Sequence, residues 1–460
     1  MKFYSAFRHK LFTFFIISIL FTACSTEPDA PTPPGGESPQ TMKPLAQVPK
    51  GERIFFIKKQ IKKIWLITDS IDVGTGDIWS MGPDGTGLLQ HTNLSNDYFV
   101  TDHPKLSDNG RYLTFTSNYK SWLSACYTDI FRWDLQENKI VRITGDEWPP
   151  DNPPTNFTTL KVLSVQKNMR ISAKGCQNFT FPQTEVTHNN LTYYRTYLKV
   201  PASTNIWVKA ERSATVGDLV FDYMTKAGEN EVYIGPATDD GSDGYVAICQ
   251  KGQPNDDGKI VGMMNGKMIM YRENGQLIWE KNVGGHAWGF SDDPAWSHDG
   301  TKIAVCLGIT GYANLLAIHT PPESDQIPTP ILGDQSGNSI INSPSWGPND
   351  RDIIFTFSRI GGQGIVPNIW RVSPNGQNPE QLTNYSGYYA AVNPCYSHDG
   401  TKIVFTLLKC RSINFNDYLD FAIATNIESA NICIMNADGS GIQQLTTDGL
   451  SYNAYWGLVK

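Results

Sequence analysis

The sequence contains none of the short motifs that mark common catalytic sites. It has no G-x-S-x-G nucleophile elbow, no H-E-x-x-H zinc motif and no phosphate-binding loop. Its eight histidines are scattered, and no D-x-D-x-D-G calcium loop is present. We therefore expect a protein that is not an enzyme and that holds no metal ion and no cofactor.

Positive charge is also in short supply. The chain has 38 Lys and Arg against 45 Asp and Glu, a net charge of −7, and loss of Lys2, Arg8 and Lys10 with a cleaved N-terminal segment would change this to −10. Nucleic acid selects basic surfaces, so the acidic balance argues against nucleic acid as a partner.

The N-terminal apolar run, Leu11–Phe21, is too short to span a bilayer, which takes about 20 residues. Basic residues precede the run and Phe21-Thr22-Ala23-Cys24 ends it, so residues 1–23 are interpreted as a signal peptide. Small residues before a cysteine resemble the lipobox of bacterial lipoproteins, which would make Cys24 the lipidated first residue of the mature chain. The alternative is an ordinary signal peptide in which Cys24 is incidental.

Residues 24–50 hold seven prolines and few apolar side chains. Such a composition predicts an extended tether without packed structure. Ser25 follows the cysteine in place of the Asp that favours the inner membrane in enterobacterial lipoproteins. We therefore expect a lipid anchor in the outer membrane of the cell envelope, with the protein on its periplasmic face or on the cell surface.

A repeated element dominates the rest of the chain and predicts its architecture. It begins with a proline, ends in a turn and leads into a β-rich stretch, and its copies are Pro104–Gly110, Pro294–Gly300, Pro344–Asp350 and Pro394–Gly400. The last three copies start 50 residues apart. A fixed period in this range, with several strands per unit, is typical of a propeller or a solenoid.

A second element alternates with the first. Its clearest copies are 77–92, 129–144, 368–383 and 431–446, which start with Asp-Ile or Asn-Ile and end at a threonine. Short strands around Asp-Gly or Asn-Gly predict hairpins, because these residues accept the positive φ of a tight turn. The first element is thus interpreted as strands A and B of a four-stranded blade, and the second as strands C and D.

Both elements resemble the TolB-type, WD40-like propeller repeat, which reads P-x-W-S-x-D-G-x-x-I-x-F and N-I-x-x-M-x-x-D-G-x-x-x-x-L-T. The resemblance covers much of residues 54–145 and 254–460 and does not extend to the separate α/β domain of TolB proteins. It implies an all-β fold, a six-bladed TolB-like β-propeller, and protein partners such as peptidoglycan-associated lipoproteins.

C–D hairpins can be placed at 77–92, 129–144, 268–283, 314–332, 368–383 and 431–446, which predicts six blades. The C-terminal stretch Asn453–Val459 has the pattern of a strand A with no strand B after it, whereas Ile54–Thr68 lacks a strand A. We therefore expect the C-terminal strand to complete the first blade. Residues 51–145 would form blades 1 and 2, and residues 253–460 blades 3 to 6 with the closing strand. An eight-bladed or a two-propeller arrangement is the alternative.

The spacing of the repeats exposes an insertion. Pro104 and Pro294 are 190 residues apart, where two blades need about 100 residues. The surplus, residues 146–252, offers six strand candidates and no helix, which favours a small Ig-like β-sandwich inserted between blades 2 and 3. The candidates are 161–165, 169–173, 192–200, 205–209, 219–224 and 231–234.

Seven cysteines remain after Cys24. Two disulfides are candidates, Cys176–Cys249 at the borders of the insertion and Cys410–Cys433 across one B–C connection. The alternative is that most cysteines are small buried strand residues, as Cys306 and Cys395 look to be. His298 and His398 occupy equivalent A–B turns, so repeat geometry explains them better than function does.

A binding surface is the function that the pattern leaves open. The A–B and C–D turns are short, whereas the B–C and D–A connections are long and varied, and long loops on a rigid scaffold usually carry binding. Aromatic side chains are the preferred anchors there. The candidates on this loop face are Trp122, Tyr127, Trp288, Tyr312, Tyr388, Phe415 and Tyr418, with Tyr389 beside Tyr388.

Polar residues recur just before the strand-A proline, at His103, Asp293, Ser343 and Asn393, where they could ring the mouth of a central channel. The favoured alternative is that these polar residues cap the entry of strand A and that the aromatic residues six positions before the proline, such as Trp288 and Tyr388, wedge between blades. The favoured function is a membrane-tethered scaffold that binds an envelope protein through the loop face. A carbohydrate-binding module is the alternative, and a propeller-based lyase or hydrolase is less favoured.

Overall fold

The fold is all-β, as the sequence predicts. The computed structural model describes residues 42–65, 70–94, 100–117, 119, 129–144, 156–164, 169–173, 183–188, 191–201, 207–212, 220–224, 231–234, 251–264, 267–272, 276–282, 292–308, 313–321, 328–333, 339–359, 365–411 and 427–460. These residues form 31 β-strands and one short 3-10 turn at Pro348–Asp350. Their contacts divide the chain into two compact units, one with residues 146–247 and the other with residues 40–119, 126–145 and 248–460.

The larger unit holds six antiparallel sheets of four strands each, which are the blades of a propeller. In order from strand A to strand D, blade 1 consists of β31 (Ser451–Val459), β1 (Gly51–Trp65), β2 (Ser70–Met81) and β3 (Leu89–Gln90), and blade 2 of β4 (Val100–Leu106), β5 (Tyr112–Ser117), β6 (Asp129–Asp134) and β7 (Lys139–Arg142). Blade 3 consists of β15 (Lys251–Pro254), β16 (Ile260–Met264), β17 (Lys267–Tyr271) and β18 (Leu277–Asn282), and blade 4 of β19 (Asp292–Trp296), β20 (Ile303–Gly308), β21 (Ala313–His319) and β22 (Thr329–Gly333). Blade 5 consists of β23 (Ser339–Trp346), β24 (Ile353–Arg359), β25 (Ile365–Val372) and β26 (Glu380–Gln381), and blade 6 of β27 (Tyr389–Tyr396), β28 (Lys402–Cys410), β29 (Ile427–Asn436) and β30 (Gln443–Gln444).

The strands A form a closed cycle. In the order β31, β4, β15, β19, β23, β27, each of them contacts the next, and β27 contacts β31 again. The predicted closure by the C-terminal strand is confirmed, because Tyr455 pairs with Phe55 and Trp456 with Ile54 in the antiparallel ladder between β31 and β1. Closure pairs the inner edge of β1 with β31, so that β1 does not present the open edge that invites pairing with another chain.

Apolar cores lie between neighbouring blades. Ile54 and Phe56 of blade 1 pack with Val404 and Ile432 of blade 6, and all four side chains are fully buried. Burying one such side chain contributes about 1.5–3 kcal/mol relative to leaving it exposed. A single blade has no partner for either of its faces, so the blades stabilise one another.

The threonine that ends the second repeat element has a structural role. Its hydroxyl accepts a hydrogen bond of 2.9 Å from the backbone N–H of the strand-C isoleucine that is the second residue of the same repeat element, and this occurs in four blades: Thr92 with Ile78, Thr144 with Ile130, Thr383 with Ile369 and Thr446 with Ile432. Strand D is two residues long where it is shortest. The threonine therefore extends the C–D pairing beyond the short backbone ladder.

The insertion forms two sheets. β8 (Phe157–Ser164), β10 (Thr184–His188), β11 (Leu191–Pro201) and β14 (Glu231–Ile234) make one sheet, with β14 parallel to β8, and β9 (Met169–Ala173), β12 (Trp207–Arg212) and β13 (Val220–Met224) make the other. All six predicted strands are present, and β10 is an additional one. An Ig-like packing of the two sheets stays a prediction.

The predicted disulfide between Cys410 and Cys433 is wrong. Both residues are buried free thiols, and they lie on adjacent strands at different levels, since Cys433 is opposite Phe405 and Cys410 is opposite Ile427. Five residues along a strand separate the two levels by roughly 17 Å, far beyond disulfide reach. Cys306 and Cys395 are buried as expected. Cys24, Cys176 and Cys249 lie outside the described residues.

The predicted tether is shorter than expected at its C-terminal end. Residues 42–50, which we call the strap, pack against blades 1 and 2. Met42 and Val48 are buried, and the Leu45 N–H donates a hydrogen bond of 2.9 Å to the His91 carbonyl. The tether prediction failed here because composition does not report that Met42 and Val48 find an apolar surface.

His91 joins the strap to the propeller. It stands where the equivalent repeats have Leu382 and Leu445, and it is fully buried. Its Nε2 is 2.7 Å from the Ser80 hydroxyl and its Nδ1 is 3.3 Å from the Ala46 carbonyl. Burial lowers the pKa of His91 to about 4. The nearby charge of Arg53 also lowers this pKa, whereas the hydrogen bond to the Ala46 carbonyl raises it.

The short turns lock neighbouring blades together. Gly400, in the A–B turn of blade 6, has φ +69°, and a methyl group on it would overlap the ring of Pro348 in blade 5. Gly300, in the equivalent turn of blade 4, has φ +67° and open space around the same position. The two glycines thus share a left-handed backbone but differ in whether a blade lies against them.

We expect Gly400→Ala to destabilise the protein more than Gly300→Ala. The left-handed backbone costs either alanine about 1–2 kcal/mol, and the overlap with Pro348 adds roughly 1–3 kcal/mol at position 400 only. Urea unfolding of both variants and the wild type measures the difference. Equal losses of stability would show that the close approach between blades is not rigid.

The low pKa of His91 predicts a loss of stability in mild acid. A group whose pKa is about 4 when folded and 6.5 when unfolded stabilises the fold above about pH 6.5 and loses that contribution as the pH falls to about 4. The full contribution is about 3 kcal/mol. The unfolding free energies of the wild type and of His91→Gln should be measured between these two pH values. As the pH falls, the wild type should lose stability relative to His91→Gln, and a difference that stays constant with pH would contradict this account.

Candidate functional site

The strands A carry a β-bulge at one recurring position. In five of the six, β4, β19, β23, β27 and β31, the pairing with the neighbouring strand shifts around the residue before the proline or its equivalent. Ser343, Asn393 and Asn453 occupy this position and have φ between +53° and +56°. A bulge turns a side chain out of the regular alternation of a strand, and here it turns a polar side chain towards its counterparts in the next blades.

These three side chains form a hydrogen-bonded chain across blades 5, 6 and 1. The Ser343 hydroxyl donates to Asn393 Oδ1 at 2.8 Å, and Asn393 Nδ2 donates to Asn453 Oδ1 at 2.5 Å. The backbone N–H groups of Asn393 and Asn453 donate to Thr356 and Thr406 of strands B at 3.0 Å. The polar side chains thus meet one another inside the ring of strands.

The sequence interpretation of this position is right in part. Ser343 and Asn393 meet other blades in the channel as expected, but they lie in the middle of strands β23 and β27 and not at the mouth. Asn453 was missed, although Asn453-Ala454-Tyr455-Trp456 aligns with Asn393-Pro394-Cys395-Tyr396. His103 and Asp293 occupy the same backbone position in β4 and β19. The structure describes the backbone of these two residues but not their side chains.

A cavity of about 60 Å³ lies in the channel beside these residues, towards the A–B turns. Each blade contributes a residue of its strand A to the lining, and in the five blades with the bulge this residue lies two positions after it: Lys105, Ala295, Ser345, Cys395 and Tyr455, with Gln253 from β15. The volume suffices for a few water molecules and is too small for a drug-sized ligand.

The lining side chains serve to connect blades. Buried Lys105 donates from Nζ to the Pro294 carbonyl at 3.1 Å, and the Tyr455 hydroxyl donates to the Leu106 carbonyl at 3.0 Å. Burial raises the pKa of Cys395 to about 11 and that of Tyr455 well above its ordinary value. Neither group is a thiolate or a phenolate at neutral pH, so neither supplies a nucleophile or a base here.

An ion pair crosses the A–B end of the channel. His298 Nδ1 in blade 4 lies 2.7 Å from Asp108 Oδ2 in blade 2. Its Nε2 faces the Trp346 carbonyl at 3.4 Å, and Asp350 accepts the His298 backbone N–H at 2.7 Å. A carboxylate and a carbonyl both accept hydrogen bonds, so the imidazolium, which donates from both nitrogens, fits this site best.

The environment of His298 also favours the charged form. Burial lowers its pKa, but the hydrogen bond that His298 donates to Asp108 and the charges of Asp108 and Asp350 outweigh burial and raise the pKa above its ordinary value. Because both ring nitrogens face acceptors within the protein, His298 is not placed to act as a general base. Within the described ranges, no group of three His, Cys, Asp or Glu side chains is arranged to hold a metal ion.

Only one of the predicted loop-face aromatic residues falls within the described part of the chain. Tyr388 is 52% exposed, and the adjacent Tyr389, at the start of β27, is 43% exposed. The others, Trp122, Tyr127, Trp288, Tyr312, Phe415 and Tyr418, lie outside the described residues. In the part of the chain that is described, no helix is long and apolar enough to cross a membrane.

The site belongs to a β-propeller, and comparison with known proteins finds a local sequence similarity to TolB. No family model matches the chain. The Tol-Pal system protein TolB of Anaeromyxobacter dehalogenans is 29% identical in strain 2CP-1 and 30% identical in strain 2CP-C, in each case over 113 residues. These residues are 25% of this chain and 20% of each TolB protein. The chain therefore matches about a fifth of the length of these relatives, and over that stretch its propeller is TolB-like.

Solved structures of low identity align with most of the chain at low TM-scores. A protein taken to be TolB from Agrobacterium tumefaciens is 14% identical with a TM-score of 0.34, covering 89% of this chain and 99% of that one. The β-propeller domain of the trilobed protease from Pyrococcus furiosus is 10% identical with a TM-score of 0.37, covering 89% and 96%. At these values the likeness adds nothing to the architecture that the strand pairings define.

We expect the ion pair of His298 to stabilise the fold below neutral pH. A group whose pKa is raised on folding contributes stability that is fully present below its unfolded value of 6.5 and is lost as the pH rises through the folded value. The wild type should lose melting temperature relative to His298→Gln between about pH 6 and about pH 8. His398→Gln, in the equivalent turn of blade 6, is the control, and an identical pH response of wild type and His298→Gln would refute the assignment.

Proposed function

We propose that this chain is a membrane-tethered binding scaffold of the bacterial cell envelope, which engages a protein partner through the face formed by its B–C and D–A connections. Lipidation at Cys24 attaches it to the outer membrane. The local similarity to TolB of the Tol-Pal system supports a place in the envelope. It also supports partners of the kind that the repeats imply, such as peptidoglycan-associated lipoproteins.

The two faces of the propeller differ in what they can offer a partner. On one face, the A–B and C–D turns are short and rest on neighbouring blades, as at Gly400 and Pro348. We call this the short-turn face. On the other face, the long-loop face, strands β5 and β6 are joined by residues 118–128, and strands β28 and β29 by residues 411–426. Variable connections on a rigid scaffold favour the long-loop face for recognition.

Two adjacent exposed tyrosines at the long-loop face are the observation that carries the proposal. The Tyr388 carbonyl accepts a hydrogen bond of 2.7 Å from the Cys410 N–H, and Tyr389 pairs with Lys409 across β27 and β28. Lys409 in turn forms an ion pair of 2.7 Å with Glu428. The backbone below both rings is thus fixed, which lowers the entropy cost of using them as anchors.

Replacing both tyrosines should weaken partner capture. We expect the double variant Tyr388→Ala and Tyr389→Ala to retain its fold and to bind the partner at least about tenfold more weakly, because central aromatic anchors contribute about 2 kcal/mol or more. The measurement is quantitative mass spectrometry of proteins captured from solubilised envelope with the full chain as bait.

Leu88 and Ile442 provide the matched control. Both are exposed apolar residues, at 46% each, in C–D hairpins on the short-turn face. Leu88→Ala with Ile442→Ala should leave capture unchanged. Loss of capture with this pair but not with the tyrosine pair would reverse the choice of face. Capture of glycans on an array, lost in the tyrosine variant, would favour carbohydrate binding instead.

A further inference from the structure

The position of the strap determines the face of the propeller at which the preceding N-terminal chain emerges. Met42 packs with Leu135 and Ile140 of the C–D hairpin in blade 2 and borders Asn138 in its turn. At its other end, the strap leads into Gly51, which pairs with Val459 at the A–B end of blade 1. Both ends of the strap therefore lie at the short-turn end of the blades.

The strap is held along its length and not only at its ends. Val48 is buried in the same core cluster as Met42. Between them, Leu45 and Ala46 both bond to His91, through a backbone N–H and a backbone carbonyl. His91 also packs edge-on against Trp133 of blade 2, with ring centroids 5.3 Å apart. The strap thus bridges two blades and fixes the place where the chain departs.

We infer that the short-turn face is the membrane-proximal face of the anchored protein, and that the long-loop face points away from the lipid surface. This inference rests on the proposed lipid anchor at Cys24. It adds an orientation that the fold alone does not contain, and it names the lipid surface as the neighbour of the short-turn face.

The length of the intervening chain supports this orientation. Residues 25–41 separate the anchor from the strap, and 17 residues of extended Pro-rich chain reach at most about 53 Å. The nine residues of β28, Lys402–Cys410, span about 30 Å from the short-turn face to the long-loop face. Bringing the long-loop face to the membrane would use more than half of this length to pass along the propeller, whereas the short-turn face leaves the full length available.

Negative charge on the short-turn face weakens its approach to an anionic lipid surface but does not change which face lies nearest to the lipid. Asp299 and Asp399 stand in A–B turns, and a hydrogen bond from the Ser297 hydroxyl lowers the pKa of Asp299 to about 2, so this carboxylate stays charged at neutral pH. Anionic lipid headgroups would repel it, but the repulsion decays over about 8 Å at physiological ionic strength. That distance is small against the span of a blade, so the same face remains nearest to the lipid.

The test is energy transfer from the protein to headgroup-labelled lipid. The full-length lipidated protein, carrying a dye at Ser440→Cys or at Ser386→Cys, is reconstituted into vesicles with acceptor lipid. Both positions are exposed and belong to blade 6, the first on the short-turn face and the second on the long-loop face. The unsubstituted protein, labelled in the same way, gives the background from native thiols.

We expect several-fold greater transfer from position 440 than from position 386. Met42→Asp with Val48→Asp should free the strap, lengthen the linker to residues 25–50 and reduce the difference between the two positions. Met42→Leu should preserve it. Equal transfer, or greater transfer from position 386, would overturn the orientation.

The mass of the N-terminal peptide separates this outcome from failure of the proposed anchor. An acylated Cys24 together with reversed transfer would overturn the orientation alone and leave the anchored scaffold intact. An unacylated N terminus would overturn the anchor and the orientation together.

Discussion

The pairing of the last strand with the first is the constraint on which the rest of the structure depends. β31 is strand A of blade 1, so its ladder with β1 joins the two ends of the propeller chain. The same strand contacts β4 on one side and β27 on the other. Without it, blade 1 would lose its inner strand and Ile54 and Phe56 would lose part of the core that they share with blade 6. Closure therefore couples the stability of every blade to its neighbours.

Polar contacts between blades fill the inner part of the closed ring. At the short-turn end, the ion pair between His298 and Asp108 links blades that are not adjacent. In the middle, the bond between Asn393 and Asn453 brings polar side chains together inside the ring. The inner part of the propeller is thus occupied by contacts that hold it together, which leaves recognition to its outer connections. This is the pattern of a rigid support for variable loops.

Two histidines of the propeller, His91 and His298, show how tertiary surroundings set the chemistry of one residue type. His91 is enclosed by apolar side chains and bonds as a neutral ring to Ser80 and Ala46. His298 faces a carboxylate and is held as a cation. Desolvation dominates in the first case, whereas in the second the hydrogen bond to Asp108 and the nearby carboxylate charges together outweigh it. The sequence places both residues in ordinary repeat positions and contains no sign of this contrast.

What the sequence determined by itself is local: the alternation of strands, the turns at Asp-Gly and Asn-Gly, and the incomplete blades at both ends that require β31 to pair with β1. These follow from backbone preferences and from period-two burial, which act over a few residues. Only the tertiary structure decided the bonds between blades, such as His298 with Asp108, which are 190 residues apart. It also decided the docking of Met42 and the separation of Cys410 from Cys433. The angle and register between whole sheets set such contacts, and no short stretch of sequence encodes either.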